Sequence, residues 1–220
     1  MTGPRGILFD FNGVLIDDEP QHCAAFIATL AEHDLLLDET TYYRDYHGYD
    51  DRGCFVHAWR HAGRTLTDGL LKLLVKQKSE RYERAIRDSL TLVPGAAEFV
   101  RAAAADRLTV GIVSGALRRE IELVLEVADL RRHVGPIIAA EDVATCKPDP
   151  EGYRKGLQSL GLRPVDVVVV EDSLPGLAAA RAAGLRCAML TTTHVPALLA
   201  EADLVWNDFT GRRPADLPWN

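Results

Sequence analysis

Four consecutive valines, Val167-Val168-Val169-Val170, constrain this chain more than any other stretch. A strand with one wet face alternates apolar and polar residues. A run without alternation must be covered on both faces, which is the situation of an inner strand in a parallel sheet. Other short runs of β-branched and apolar residues recur along the chain. Together they predict strands at Ile7–Asp10, Leu108–Ser114, Ile137–Ala140, Val165–Glu171, Arg186–Leu190 and Asp203–Trp206. Helical patterns lie between them. Ala96–Ala105 follows Pro94-Gly95, Leu117–Ala128 carries one apolar stripe, and Pro175–Ala183 ends at Gly184, the residue type that best closes a helix. Strand–helix alternation predicts an α/β fold, a Rossmann-like doubly wound parallel sheet.

One segment breaks the alternation. From about Asp18 to Ser89 only helices are predicted: Gln21–Glu32, a short Thr40–Tyr46 piece, Asp50–His61 and a long Thr67–Arg87. Leu70, Leu71, Leu74 and Val75 give the last of these its apolar stripe, with charges over the rest. The expectation is an all-helical cap domain, residues 17–89, inserted into a core built from residues 1–16 and 90–220. The tail, Asn207 to Asn220, reads as loop, with Gly211, Pro214 and Pro218 as turn formers.

Composition excludes several function classes. In 220 residues, 47% are hydrophobic, enough for a real core, which rules out a disordered chain. The net charge of −7 comes from interspersed acids and bases, unlike the clustered Lys/Arg footprint of a nucleic-acid binder. No leader-like or membrane-spanning run is visible. Cys23, Cys54, Cys146 and Cys187 are scattered without a CxxC pair. A reduced, cytoplasmic protein is expected, with monomer as the default state.

Ligands of open parallel sheets bind beyond the carboxyl ends of the strands. Asp10, Ser114 and the pair Glu171-Asp172 end predicted strands, and Lys147 in "CKPDPEGY" follows the third strand where a helix starts. Three carboxylates at one rim repel unless a cation sits among them, and an all-oxygen donor set suggests Mg²⁺. These parts suit phosphoryl transfer. A carboxylate can attack and form an acyl phosphate, while a hydroxyl, backbone N–H groups and a lysine hold the equatorial oxygens. The helix beginning just beyond Ser114 offers its N-terminus to an anion.

The stretches "FDFNGVLID", "VSGA", "CKPDP" and "VVVVEDSLPGLAAARAAG" resemble, in order, the four motifs of the haloacid dehalogenase-like hydrolase superfamily. The match runs essentially from Ile7 to Leu190. The helical insert resembles the cap of the phosphatase and β-phosphoglucomutase-like branch. By that resemblance Asp10 is the nucleophile, and Ser114 with the Gly115 backbone binds phosphate. Lys147 steadies the phosphoryl group. Asp10, Glu171, Asp172 and the backbone carbonyl of Asn12 hold Mg²⁺. The resemblance also implies a small phosphorylated metabolite as substrate, chosen by the cap, with hinges near Asp17 and Leu90.

Asn12 departs from the pattern. In the phosphatase branch its position carries a second Asp that protonates the leaving oxygen and then deprotonates the attacking water. An amide cannot exchange protons in this way, and general acid–base help is worth ~10²–10⁴-fold. Three readings stay open: a leaving group that departs unprotonated, a proton supplied by His22 or another cap residue, or a catalytically weakened protein that binds a phosphorylated ligand. The C–Cl branch does not need the metal pair that is intact here, and no lysine stands in "YHGYDDRG" where the C–P branch would use one. Mutase chemistry, a further possibility, needs a diphosphate intermediate, and the absence of the second Asp makes it the least favoured. Further candidates for substrate choice are His22, Tyr49, Asp50 and Arg52, which with Asp51 follow Gly48, and Arg118, although helix capping and solvated helix faces account equally for these residues. The His57/His61 pair at i, i+4 lacks a third metal ligand and reads as helix surface.

Overall fold

The structure is a computed structural model that describes residues 5–46 and 49–219. His47 and Gly48, just ahead of the candidate Tyr49, and Asn220 at the end of the tail lie outside the described residues. The chain divides into two compact units, Met1–Asp17 with Thr91–Asn220, and Asp18–Leu90.

The first unit is a six-stranded parallel sheet: β1 (Gly6–Phe9), β2 (Thr109–Val113), β3 (Ile137–Ile138), β4 (Val167–Glu171), β5 (Arg186–Leu190) and β6 (Leu204–Trp206). Their spatial order is β3-β2-β1-β4-β5-β6. The valine run is the central β4, buried throughout, pairing Val169 with Leu8 on one side and Cys187 on the other. Among the described residues, four α-helices belong to this unit: α5 (Ala96–Ala105), α6 (Arg118–Val127), α7 (Glu151–Leu160) and α8 (Leu174–Ala182). Because side chains alternate along a strand, Leu8, Val167 and Val169 face one way, into a core with Tyr153, Leu177 and Ala180. Phe9 points the other way, into an aromatic cluster with Phe99 and Phe209 at centroid distances of 6.2 and 6.1 Å. This is a Rossmann-like α/β fold.

Two sequence expectations change. The strands are shorter than their apolar runs: Val165 and Asp166 sit in a 3₁₀ turn, Pro164–Asp166, and Ala140 opens another, Ala140–Asp142. The tail is not a plain loop. Phe209, Leu217 and Trp219 are buried, and the Trp219 indole donates to the Pro214 carbonyl at 2.8 Å. Burying such rings outweighs the turn signals of Gly211 and Pro214.

The second unit is all helical: α1 (Glu19–Ala31), α2 (Glu39–Asp45), α3 (Asp51–His61) and α4 (Asp68–Asp88). α1 starts two residues earlier than expected, because Pro20 is tolerated in a first turn, where its missing N–H would have no partner anyway. Asp38, Asp50 and Thr67 cap the next three helices through their side chains. Phe26, Tyr42, Phe55, Trp59 and Leu74 form the core. Beside it runs a chain of charges, with Lys78 and Asp18 buried and Asp51 and His22 half-buried. Lys78, only 1% exposed, pairs with Asp51 at 2.7 Å and meets Nδ1 of His22. Nε2 of His22 lies 3.1 Å from Asp18, which also accepts from the Tyr82 hydroxyl. The His22 and Tyr82 rings stack at 4.3 Å. Among the described residues no helix is long and apolar enough to cross a membrane.

Candidate active site

The strand order reverses at β1 and β4: later strands add outward from β1 through β2 on one side and from β4 through β5 on the other. Such a switch point leaves a crevice beyond the carboxyl ends of the two strands. Asp10 leaves β1 there. Its N–H still donates to Val170 at 2.9 Å, so the carboxylate is fixed by the last rung of the ladder. Glu171 closes β4, and Asp172 follows. Ligand oxygens of Asp10, Glu171 and Asp172 all lie within 4.8 Å of one another, and all three residues are buried.

Local sequence explains the convergence. After Asp10 the chain reverses in a tight turn, with Leu15 donating to the Phe11 carbonyl at 2.8 Å. Gly13 sits in that turn at φ +71°, and an added Cβ would stand 2.0 Å from the Asp172 carboxylate. Only glycine meets both demands. On β4, Ser173 caps α8 by accepting from Gly176 at 3.1 Å while donating to Glu171 at 2.9 Å.

The electrostatics are lopsided. Lys147 is the ammonium among the acids, with Nζ 2.9 Å from Asp10 Oδ1 and 2.5 Å from Glu171 Oε1. Burial, reinforced by the charge of Glu171, pushes the Asp10 carboxyl up to about 7 against the pull of Lys147. Burial together with Glu171 and Asp10 pushes Asp172 up to about 8. Burial also works on Glu171, but the charge and hydrogen bond of Lys147 outweigh it and hold that carboxyl below its usual range. Burial likewise disfavours charge on Lys147, yet Asp10 and Glu171 prevail and keep it protonated. One ammonium satisfies one acid and leaves two carboxylates in want of a cation. An all-oxygen donor set of this kind fits a hard divalent ion such as Mg²⁺.

Ser114 stands at the end of β2, buried, its Oγ accepting from the Ala116 N–H at 3.0 Å. Gly115 is exposed, with no atom near its absent Cβ, so backbone there opens to space a ligand can enter. Asn12 is half-buried in the turn after Asp10. Sequence reasoning overlooked three groups. Thr193 and Thr192 donate to Asp172 Oδ2, the latter at 3.4 Å and also to the Gly13 carbonyl at 2.6 Å. Tyr153 donates to Glu171 at 2.8 Å. The polar run Thr191–Thr193, directly after a buried strand, was the available signal.

Other candidates are held elsewhere. The Arg118 guanidinium is taken by Asp142 and the Ile137 carbonyl, and its N–H by Glu141 at 3.2 Å. The start of α6 therefore already has its anion. In the second unit, His22 belongs to the charge chain and Asp50 caps α3 through Gly53 at 2.7 Å. Tyr49 is exposed and stacks on His57 at 5.6 Å, and Arg52 is exposed.

A buried carboxylate triad with one lysine, at the switch point of a Rossmann-like sheet, gives an α/β protein a place to hold a cation beside an anionic ligand. The family model of the haloacid dehalogenase-like hydrolases matches residues 4–184, and the chain belongs to that family. It is similar to CbbY of Rhodobacter capsulatus, with 32% identity over 86% of this chain and 86% of that protein. It is 29% identical to validoxylamine A 7'-phosphate phosphatase of Streptomyces hygroscopicus subsp. limoneus, over 92% and 93%. A crystal structure of CbbY from Rhodobacter sphaeroides, a mutant in complex with xylulose-(1,5)bisphosphate, superposes with a TM-score of 0.86 at 27% identity, covering 96% of this chain and 98% of that one.

Proposed function

We propose that this hydrolase acts on phosphoric monoesters of small, sugar-like molecules, with Asp10 as nucleophile and Mg²⁺ as its cofactor. The observation that carries the reading is the triad of buried acids opposed by a single ammonium. Asp10, Asp172 and the main-chain carbonyl of Asn12 would hold the ion, with Glu171 adding the third negative charge. The bound ion would neutralise substrate phosphate so that one anion can approach another. The phosphorylated ligands and phosphatase names of the relatives support the substrate class.

The chain's own residues divide the work. Ser114, the Gly115 backbone and Lys147 hold the equatorial oxygens, where charge spreads as the phosphoryl group moves. A carboxylate oxygen of Asp10 forms the new P–O bond as the ester P–O bond breaks, leaving an acyl phosphate on Asp10 and the electron pair on the departing oxygen. Water then attacks phosphorus and frees Asp10 and phosphate. Asp18–Leu90 serves as the cap that selects substrate, and the four free cysteines agree with a reduced, cytoplasmic setting.

Asn12 sets the rate. Without a proton donor there, the first step favours leaving groups stable as anions. Without a base there, hydrolysis of the acyl phosphate falls behind, and phospho-Asp10 accumulates. Intact-protein mass spectrometry after incubation with Mg²⁺ and acetyl phosphate should find one added phosphoryl group, absent in Asp10→Asn. Unmodified protein alongside slow turnover would count against it. The companion variant Asn12→Asp should raise aryl-phosphate turnover ~10²-fold or more, as restored acid–base catalysis predicts. The second reading, a binding protein without efficient turnover, rests on the same amide. Thermal stabilisation by a phosphorylated sugar with no released phosphate would favour it.

A further inference from the structure

The geometry points to a division of labour inside the acidic pair: Glu171 is the anchor of Lys147, Asp172 faces the cation, and Tyr153 is the positioning residue that fixes Glu171 in its role. This rests on the reading of Lys147 as the group that holds the phosphoryl oxygens. Glu171 is fully buried and receives five donors. Lys147 Nζ at 2.5 Å and the Tyr153 hydroxyl at 2.8 Å meet Oε1. The N–H groups of Asp172 at 3.0 Å and Ser173 at 3.1 Å, with the Ser173 hydroxyl at 2.9 Å, meet Oε2. An ionised carboxylate offers about four lone-pair sites. Glu171 is therefore saturated by protein donors, and an ion would have to displace one of them.

Close packing holds the arrangement. A Cβ on Gly176 would stand 1.8 Å from Glu171 Oε1, so the first turn of α8 leaves the carboxylate no room to swing. Asp172 is different: among the described residues, the hydroxyls that reach its carboxylate, from Thr192 and Thr193, both gather on Oδ2. A carboxylate gripped on one oxygen presents the other.

Tyr153 serves both partners of the anchor. Its hydroxyl fixes Glu171 Oε1, and its ring centroid lies 5.3 Å from Lys147 Nζ, within range of a cation–π attraction. The side chain is wholly buried in the first turn of α7. Glu171, held from beneath, aims the ammonium at Asp10. The Tyr153 hydroxyl meets Glu171, and among the described residues it donates to neither Asp10 nor Asp172. It acts through Glu171.

Tyr153→Phe separates the roles, because it keeps the ring and the packing and removes only the hydroxyl. Three readouts apply: Mg²⁺ affinity by calorimetry, acylation rate of the Lys147 amine in metal-free protein by peptide mass mapping, and steady-state turnover of an aryl phosphate. The variant should bind Mg²⁺ within about threefold of the wild type, while Asp172→Asn weakens binding at least ~10-fold. Its Lys147 should be acylated several-fold faster, and kcat should fall ~10-fold or more with a smaller change in KM, as for loss of an orienting group. Unchanged acylation of Lys147, or a loss of Mg²⁺ affinity matching that of Asp172→Asn, overturns the inference. Should the wild type neither bind Mg²⁺ nor turn over, the functional reading fails, and acylation alone still decides whether Tyr153 anchors the lysine.

Discussion

Each unit of this protein buries a cluster of charges, and the two clusters are built to opposite ends. In the helical unit, Lys78 and His22 meet between two acids, Asp51 on the Lys78 side and Asp18 on the His22 side, and the Tyr82 hydroxyl donates to Asp18. In the sheet unit, Asp10, Glu171 and Asp172 share Lys147, and burial plus mutual repulsion raises Asp10 to about 7 and Asp172 to about 8. In the first cluster both acids have their donors, so its worth is structural. The second is left short of positive charge at the crevice where an open parallel sheet takes its ligand. Buried charge alone does not single out a candidate site, whereas an uncompensated excess of one sign points to one.

The comparison predicts opposite signs for charge removal. Asp10→Asn should lower turnover of an aryl phosphate by at least ~10³-fold, as loss of a nucleophile does. The same variant should melt at a higher temperature than wild type in metal-free buffer, because it deletes one of the repelling acids. Adding Mg²⁺ should reverse that order, since a ligand stabilises the fold that binds it. A lower metal-free melting temperature would mean that the triad is compensated after all. Lys78→Met should do the contrary and destabilise the protein by about 2 kcal/mol, because half-buried Asp51 loses its charged partner. Denaturant unfolding measures this, and a neutral effect would erase the contrast between the clusters. The smallest effect is expected from Asp50→Ala, which removes the cap of α3 and should cost about 1 kcal/mol. Mg²⁺-induced stabilisation should be the same in this variant as in the wild type. A changed increment would tie Asp50 to the ion rather than to its helix.

Much of the site was legible because strand ends are legible. A buried apolar run that stops at an acid, as at Phe9-Asp10 and Val170-Glu171, announces both the strand and the functional edge. Tyr153 was invisible for the converse reason. An aromatic on an amphipathic helix reads as core, which it is, and nothing in its spacing shows that its hydroxyl ends on Glu171. Arg118 went the other way: a candidate for reaching an anion, its guanidinium is held by Asp142 and the Ile137 carbonyl, while Glu141 takes the N–H at the helix start.

By itself the sequence determined which residues lie at strand ends, and with them the class of chemistry, because period and punctuation are local properties that survive without a fold. Only the tertiary structure decided which acid serves which partner. Glu171 and Asp172 are neighbours in the chain and both carry a carboxyl group. One is saturated by donors from α7, α8 and the Lys147 loop, while the other is steadied by threonines beyond β5. The Ser173 donors are local, but Lys147, Tyr153 and the threonines come from other segments of the chain. Their meeting is a consequence of packing, which no local pattern encodes.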